Sequence, residues 1–307
     1  MAALPVTTHH RGTWPALLTP STPGGGVDVG TLEQLTSYLL GKGVDGLYVC
    51  GSTGEGVLLT VAERCQVAET VMACVDGRIP LIVHVGAAAT RDAVVLAQHA
   101  RDLGVAGVAS ILPPFGRGIA ATYAHYEAIA ASAPDVPFYP YLFGGQVDAL
   151  TLLQELIARI PNLGGAKYTG SDMFELQALV DLAGARCSGT GWTIFSGMDE
   201  QCLFAALFGS PANIGSTLNL MPGAYKALRA SYEAGDVLRA RDLQVRVNRV
   251  TRVLHRFGFF GALYEGLRCL GLDCGEPRMP NLSMPVESRA VFRAALDAVD
   301  FLELAAM

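Results

Sequence analysis

Leu163-Gly164-Gly165-Ala166-Lys167-Tyr168-Thr169-Gly170 is the stretch on which the reading of this chain turns. It is a short run of small and apolar residues with one lysine in it. The chain has three lysines, Lys42, Lys167 and Lys226, and its other basic residues are arginines. Lys42 sits between two glycines at a predicted helix end, and Lys226 follows Pro222 in a predicted surface helix. Lys167 alone falls inside a strand-like run. Apolar surroundings favour a lysine's free amine, because desolvation penalises the ammonium form, and a free amine is what carbonyl chemistry needs. A strand-end lysine can also simply reach water, so the pattern around it has to decide.

Outward from this strand the same unit repeats. Strands are predicted over 13–18, 46–50, 80–86, 107–112, 136–142, 164–168, 193–196 and 212–215. Helices are predicted to follow them: from Asp28 or Thr31 to Leu40, then over 60–74, 90–103, 119–132, 148–160, 171–182 and 199–208. Thr60 with Glu63 three residues on reads as a capping box. Apolar strands alternating with amphipathic helices imply a parallel sheet with right-handed crossovers. Eight such units imply an α/β fold of the TIM (β/α)8 type over residues 1–221. An open doubly wound sheet is disfavoured, because no G-x-G-x-x-G follows the first strand. Helices predicted over 222–234, 236–257, 261–270 and 287–302 form a C-terminal extension, residues 222–307. No proline- or serine-rich linker precedes it, so it is expected to pack on the same core.

Composition narrows the function. Of the 307 residues, 51% are hydrophobic and 16% charged, which allows a large core and argues against disorder. A net charge of -6 argues against a nucleic-acid binder. The seven cysteines (Cys50, Cys65, Cys74, Cys187, Cys202, Cys269 and Cys274) form no C-x-x-C pair. They read as reduced residues of a cytoplasmic protein. No basic signal peptide and no 18-residue apolar span is visible. The six histidines show no metal-ligand spacing, so no metal and no cofactor is expected.

In a barrel of this kind the reactive groups lie where strands run into their loops. Strand two ends in Gly51-Ser52-Thr53-Gly54-Glu55, two hydroxyls among glycines, which suits a carboxylate. Strand five carries Tyr139-Pro140-Tyr141, strand six Lys167 and Thr169, strand seven Gly197-Met198-Asp199-Glu200, and strand eight Gly215-Ser216-Thr217. A lysine with a phenol suits Schiff-base chemistry on a 2-oxo acid, the amine condensing with the ketone and the tyrosine moving protons.

These residues resemble the pyruvate-dependent class I aldolases of the dihydrodipicolinate synthase and N-acetylneuraminate lyase family. The likeness runs from Ala16-Leu17-Leu18-Thr19-Pro20 to Gly275-Glu276-Pro277-Arg278-Met279-Pro280. It implies Lys167 as the Schiff-base lysine, Tyr141 as the catalytic tyrosine, and Ser52 and Thr53 as carboxylate-binding hydroxyls. Within the family it leans to the sialate lyases, whose G-x-D-E motif matches Gly197, Asp199 and Glu200. Thr169 and Ser216 then match further polyol contacts. The synthase branch carries an arginine where Gln146 stands here.

Two positions depart from the family pattern. The family tyrosine is followed three residues on by a proline, where this chain has Gly144, so Tyr139 is an alternative to Tyr141. The loop after strand four holds Phe115 where many members have a proton-relaying tyrosine, leaving Glu200 or a water to stand in. The resemblance implies a homotetramer that reversibly cleaves a 2-oxo-3-deoxy sugar acid such as N-acetylneuraminate to pyruvate and an aldehyde. The alternatives are a lyase or hydratase-aldolase on another 2-oxo acid, a synthase-like condensation, and an inactive binding protein.

Overall fold

The structure is a computed structural model and describes residues 10–116, 118–186 and 191–307. Cys187 lies outside the described residues. Eight parallel strands, β1 (Gly12–Pro15), β2 (Leu47–Val49), β3 (Leu81–His84), β4 (Gly107–Ile111), β5 (Phe138–Phe143), β6 (Gly165–Thr169), β7 (Thr193–Ser196) and β8 (Ala212–Gly215), run in the order β1-β8-β7-β6-β5-β4-β3-β2. The remaining seam is bridged where Ala16 pairs in parallel with Tyr48 and Leu17 N–H donates to Tyr48 O at 2.9 Å. The sheet is a (β/α)8 barrel, as the alternation of strands and helices predicts.

Seven helices connect the strands: α1 (Val29–Gly41), α2 (Val61–Val75), α3 (Thr90–Asp102), α4 (Ile119–Ser132), α5 (Ala149–Arg159), α6 (Met173–Arg186) and α7 (Cys202–Leu207). Asp28, not Thr31, caps α1, its carboxylate accepting from Thr31 N–H at 3.0 Å. Thr60 and Glu63 form the expected capping box on α2. After β8 come α8 (Pro222–Glu233), α9 (Val237–Arg256), α10 (Phe259–Cys269), α11 (Val286–Asp297) and α12 (Phe301–Ala306). Helix α8 packs against β1 and α9. The predicted helix over 287–302 is in fact two. Asp300 adopts a left-handed conformation with φ 57°, which breaks the helix and turns Phe301 and Leu304 into the core.

Two apolar layers result. The outer one lies between strands and helices. The inner one fills the barrel with Trp14, Tyr48, Ile82, Tyr139, Phe195 and Ile214, among others. The barrel is therefore a plugged core, and open chemistry is confined to its C-terminal rim. Among the described residues no helix is long and apolar enough to cross a membrane.

Candidate active site

Lys167 lies at the rim end of β6, paired in register with Tyr141 of β5 and Phe195 of β7. It is 5% exposed. Its Nζ sits 3.9 Å from the centroid of the Tyr141 ring and 4.9 Å from that of Tyr48. Aromatic faces can hold an ammonium without neutralising it. The other two lysines are engaged elsewhere. Lys42 Nζ donates to Ala305 O at 2.7 Å, and Lys226 Nζ donates to Gly43 O. Each closes a helix end, so Lys167 is the one lysine whose amine faces the rim.

Tyr141 is buried, and its hydroxyl accepts a bond from Thr169 Oγ1 at 3.3 Å. Gly197 makes this arrangement possible. A Cβ there would stand 1.8 Å from Thr169 Oγ1 and 3.0 Å from Lys167 Cε. Tyr139 faces the same side of β5 but one layer deeper, 5.6 Å ring to ring from Phe195. Its hydroxyl is buried without a hydrogen-bond partner, and burial pushes its acidity well out of the working range. Tyr141, not Tyr139, is the phenol beside the amine.

The strand-five loop departs from the family pattern for a visible reason. Gly144 N–H donates to Thr169 O at 3.0 Å, which extends the β5–β6 ladder by one step. Proline has no N–H to give. Phe143 then stacks on Tyr141 with centroids 4.5 Å apart. Gln146 is exposed, and Phe115 projects into solvent at 81% exposure.

On the far side of the rim, Thr53 is buried and its Oγ1 lies 2.6 Å from Ser216 Oγ after β8. Ser52 is exposed. Gly54 fits because a Cβ would meet Leu17 O at 2.6 Å. Thr53 thus joins strands two and eight, while Ser52 is open to solvent.

Asp199 is buried, and its Oδ2 accepts from Thr217 N–H and Thr217 Oγ1, both at 2.8 Å. Its Oδ1 has no hydrogen-bond partner. Burial pushes its carboxyl up to about 6; Glu200 adds to this, and the Thr217 bonds and the Lys167 charge oppose it. A Cβ on Gly215 would stand 1.4 Å from Oδ1, so only glycine fits beside the carboxylate. These bonds also explain why the helix predicted from Asp199 begins as a 3-10 turn, Asp199–Gln201. Glu200 is half-buried, its Oε1 3.5 Å from His255 Nε2.

Sequence reasoning missed several supporting groups. Gln244 and Asn248 of α9 donate to the carbonyls of Asp199 and Glu200 at 3.1 and 3.0 Å. Thr217 also bonds Tyr225 Oη at 2.8 Å. His84 at the end of β3 is buried 6.5 Å, ring to ring, from Tyr141. Burial, then the charges of Arg64 and Lys167, hold its imidazole well below its ordinary pKa and hence neutral. Only the strand-end position of His84 could have flagged it; the α9 groups leave no local sequence signal.

The amine bounds what this rim can do. Condensation with a carbonyl compound, with a phenol at hand to move protons, places the protein in the class of Schiff-base-forming lyases, the class I aldolases. The chain belongs to the dihydrodipicolinate synthetase family, whose profile matches residues 9–299. It is similar to the N-acetylneuraminate lyase of Rhizobium meliloti (strain 1021), 35% identical over 293 residues that cover 94% of this chain and 95% of the relative. The N-acetylneuraminate lyase of Homo sapiens is 31% identical over 304 residues, covering 95% and 93%. Among solved structures, the Proteus mirabilis N-acetylneuraminate lyase superposes with a TM-score of 0.88 at 31% identity, covering 95% of this chain and 99% of that one.

Proposed function

We propose that the protein cleaves a 2-oxo-3-deoxy sugar acid, N-acetylneuraminate first among them, to pyruvate and an aldehyde sugar. The observation that carries this is Lys167, buried between the rings of Tyr141 and Tyr48 at the rim of the barrel. The lyases of Rhizobium meliloti, Homo sapiens and Proteus mirabilis support the substrate.

In this reading the Lys167 amine adds to the C2 ketone and water leaves, giving an iminium ion. Tyr141 Oη gives its proton to the carbinolamine hydroxyl as it leaves as water, and the phenolate so formed takes the proton of the C4 hydroxyl. The electron pair of the C3–C4 bond moves into the iminium, the aldehyde departs, and an enamine remains. Protonation at C3 and hydrolysis release pyruvate and restore the amine. Ser52, Thr53 and the N–H groups of their turn hold the carboxylate. Thr169, Gly197, Asp199, Glu200 and Ser216 are assigned to the polyol end, where the Asp199 carboxylate is buried and braces Thr217. The chain's own groups suffice for these steps. The protein is further read as a cytoplasmic homotetramer, with small molecules rather than nucleic acid or membrane as partners.

Incubation with pyruvate and borohydride, followed by mass spectrometry, tests the reading. The expected result is a reduced adduct on the Lys167 peptide; an unmodified peptide overturns the aldolase. Aldehyde release from N-acetylneuraminate and from 2-keto-3-deoxygluconate then chooses the substrate. The second is favoured by one feature: the altered strand-five loop stacks Phe143 on Tyr141 with ring centroids 4.5 Å apart.

A further inference from the structure

Among the described residues, four that are not glycine have left-handed φ: Cys50 (56°), Glu55 (53°), Asp76 (47°) and Asp300 (57°). Asp76 ends α2, and Asp300 separates α11 from α12. The other two bracket the turn Gly51-Ser52-Thr53-Gly54. A side chain in this region is strained, and such strain persists only where the surroundings impose it.

Each bracket is held from outside the turn. At Cys50, the carbonyl lies 3.2 Å from His84 Nδ1, while Ile111 N–H donates to His84 Nε2 at 3.0 Å. The second bond requires the proton to be on Nδ1, so His84 donates to Cys50 O. A Cβ on Gly56 would stand 1.8 Å from the same carbonyl, so no other residue could follow the bend.

At Glu55, the buried carboxylate accepts from Arg278 N–H at 3.0 Å, Asn281 Nδ2 at 2.7 Å and Tyr264 Oη at 2.9 Å, with Arg278 Nη1 at 3.3 Å. The Arg278 guanidinium also donates to Thr19 O at 2.8 Å and Pro20 O at 3.2 Å beyond β1. Every one of these donors belongs to α10 or to the segment that follows it.

We propose that His84 and Glu55 are positioning residues for the carboxylate-binding turn. They hold Cys50 and Glu55 in their strained conformations, so that the Ser52 and Thr53 hydroxyls and the turn's N–H groups are aimed before substrate arrives. Through Glu55, the C-terminal helical segment sets the affinity of the barrel for its acid substrate. Neither residue contacts the reacting atoms. The proposal rests on the aldolase reading above.

The test is the concentration of pyruvate that half-saturates borohydride trapping on Lys167, compared with pyruvamide, which has the same ketone and no carboxylate. His84→Asn keeps a donor for Cys50 O; His84→Gln keeps an acceptor for Ile111 N–H and loses that donor. Tyr264→Phe and Asn281→Ala each remove one bond to Glu55. One neutral bond corresponds to about fivefold and one bond to a charged group to about tenfold. The expected rise for pyruvate is about fivefold in His84→Gln and about tenfold in Tyr264→Phe and Asn281→Ala. His84→Asn should stay within about threefold, and pyruvamide should be unchanged in all four.

Pyruvate and pyruvamide moving together, or neither moving, overturns the clamp, as does an equal effect of His84→Asn and His84→Gln. If a core variant fails to fold, half-buried Asn281 carries the test alone. A wild-type protein that cannot be trapped overturns the aldolase reading itself, and the clamp with it.

Discussion

Lys167 and Tyr141 face each other across the β5–β6 ladder as register partners, with the lysine Nζ 3.9 Å from the centroid of the phenol ring. The ring cradles the amine while its hydroxyl, bonded to Thr169, points past it. In the proposed reaction, binding the amine and moving the proton would fall to two different parts of one side chain.

Tyr141→Phe separates the two tasks. The ring and its stack with Phe143 remain, so pyruvate should still be trapped on Lys167 by borohydride. Cleavage should fall by about 100- to 10,000-fold, the range for loss of a general acid–base group. Tyr139→Phe removes a buried hydroxyl with no partner. It should leave cleavage unchanged and be neutral or stabilising by up to about 1 kcal/mol in urea unfolding. Equal losses of activity in both variants would exclude Tyr141 as the proton carrier.

The three lysines make an internal control. Lys167→Met should abolish the adduct with the fold intact by circular dichroism. Lys42→Met loses its bond to Ala305 O and its place over the Tyr38 ring. It should cost about 1 kcal/mol of stability and leave trapping at wild-type level. An adduct persisting in Lys167→Met would move the chemistry to another amine.

Gly197→Ala should be an activity defect with a small stability cost. Its Cβ would occupy the place of Thr169 Oγ1 and crowd Lys167 Cε. Thr169 can rotate away, so the fold should lose only about 1–3 kcal/mol. The rotation breaks the bond to Tyr141, and cleavage should drop at least about 100-fold, comparable to loss of the acid–base group. Retention of wild-type kcat would show that the Thr169–Tyr141 bond is dispensable.

Asp199 gives the protein a pH signature. Its folded-state pKa of about 6 lies above the ordinary carboxylate value of 3.8. The folded state therefore binds its proton more tightly than the unfolded chain does. The resulting stabilisation is complete below about pH 4 and is lost as pH rises through about 6, a change on the order of 3 kcal/mol. Asp199→Asn cannot titrate, so it should remove that component from a series of urea midpoints between pH 4 and 7. Parallel pH profiles for the two proteins would refute the assignment. In the proposed function the same variant should raise KM for the sugar acid more than for pyruvate in the reverse direction, because Asp199 braces the polyol end through Thr217.

Most of the fold could be read locally. Strands β7 and β8 fall where predicted, on short runs centred on the buried Ile194, Phe195 and Ile214. Helix starts at Asp28 and Thr60 follow from capping, a bond between neighbours in sequence. The predicted helix over 287–302 failed at Asp300, which takes a left-handed turn that sets Phe301 into the core.

The sequence by itself determined the barrel, its rim and the lysine worth watching, since each depends on periodicity, strand ends or rarity. It could not choose between Tyr139 and Tyr141, which share one face of one strand. That choice is a matter of depth: Tyr139 fills the barrel's interior layer, whereas Tyr141 reaches the amine on the neighbouring strand. Nor could it show the His84 bond to Cys50, or the tie from Glu55 to Arg278, Asn281 and Tyr264. Those contacts join residues far apart in the chain, and only closure of the barrel against its C-terminal helices brings them together.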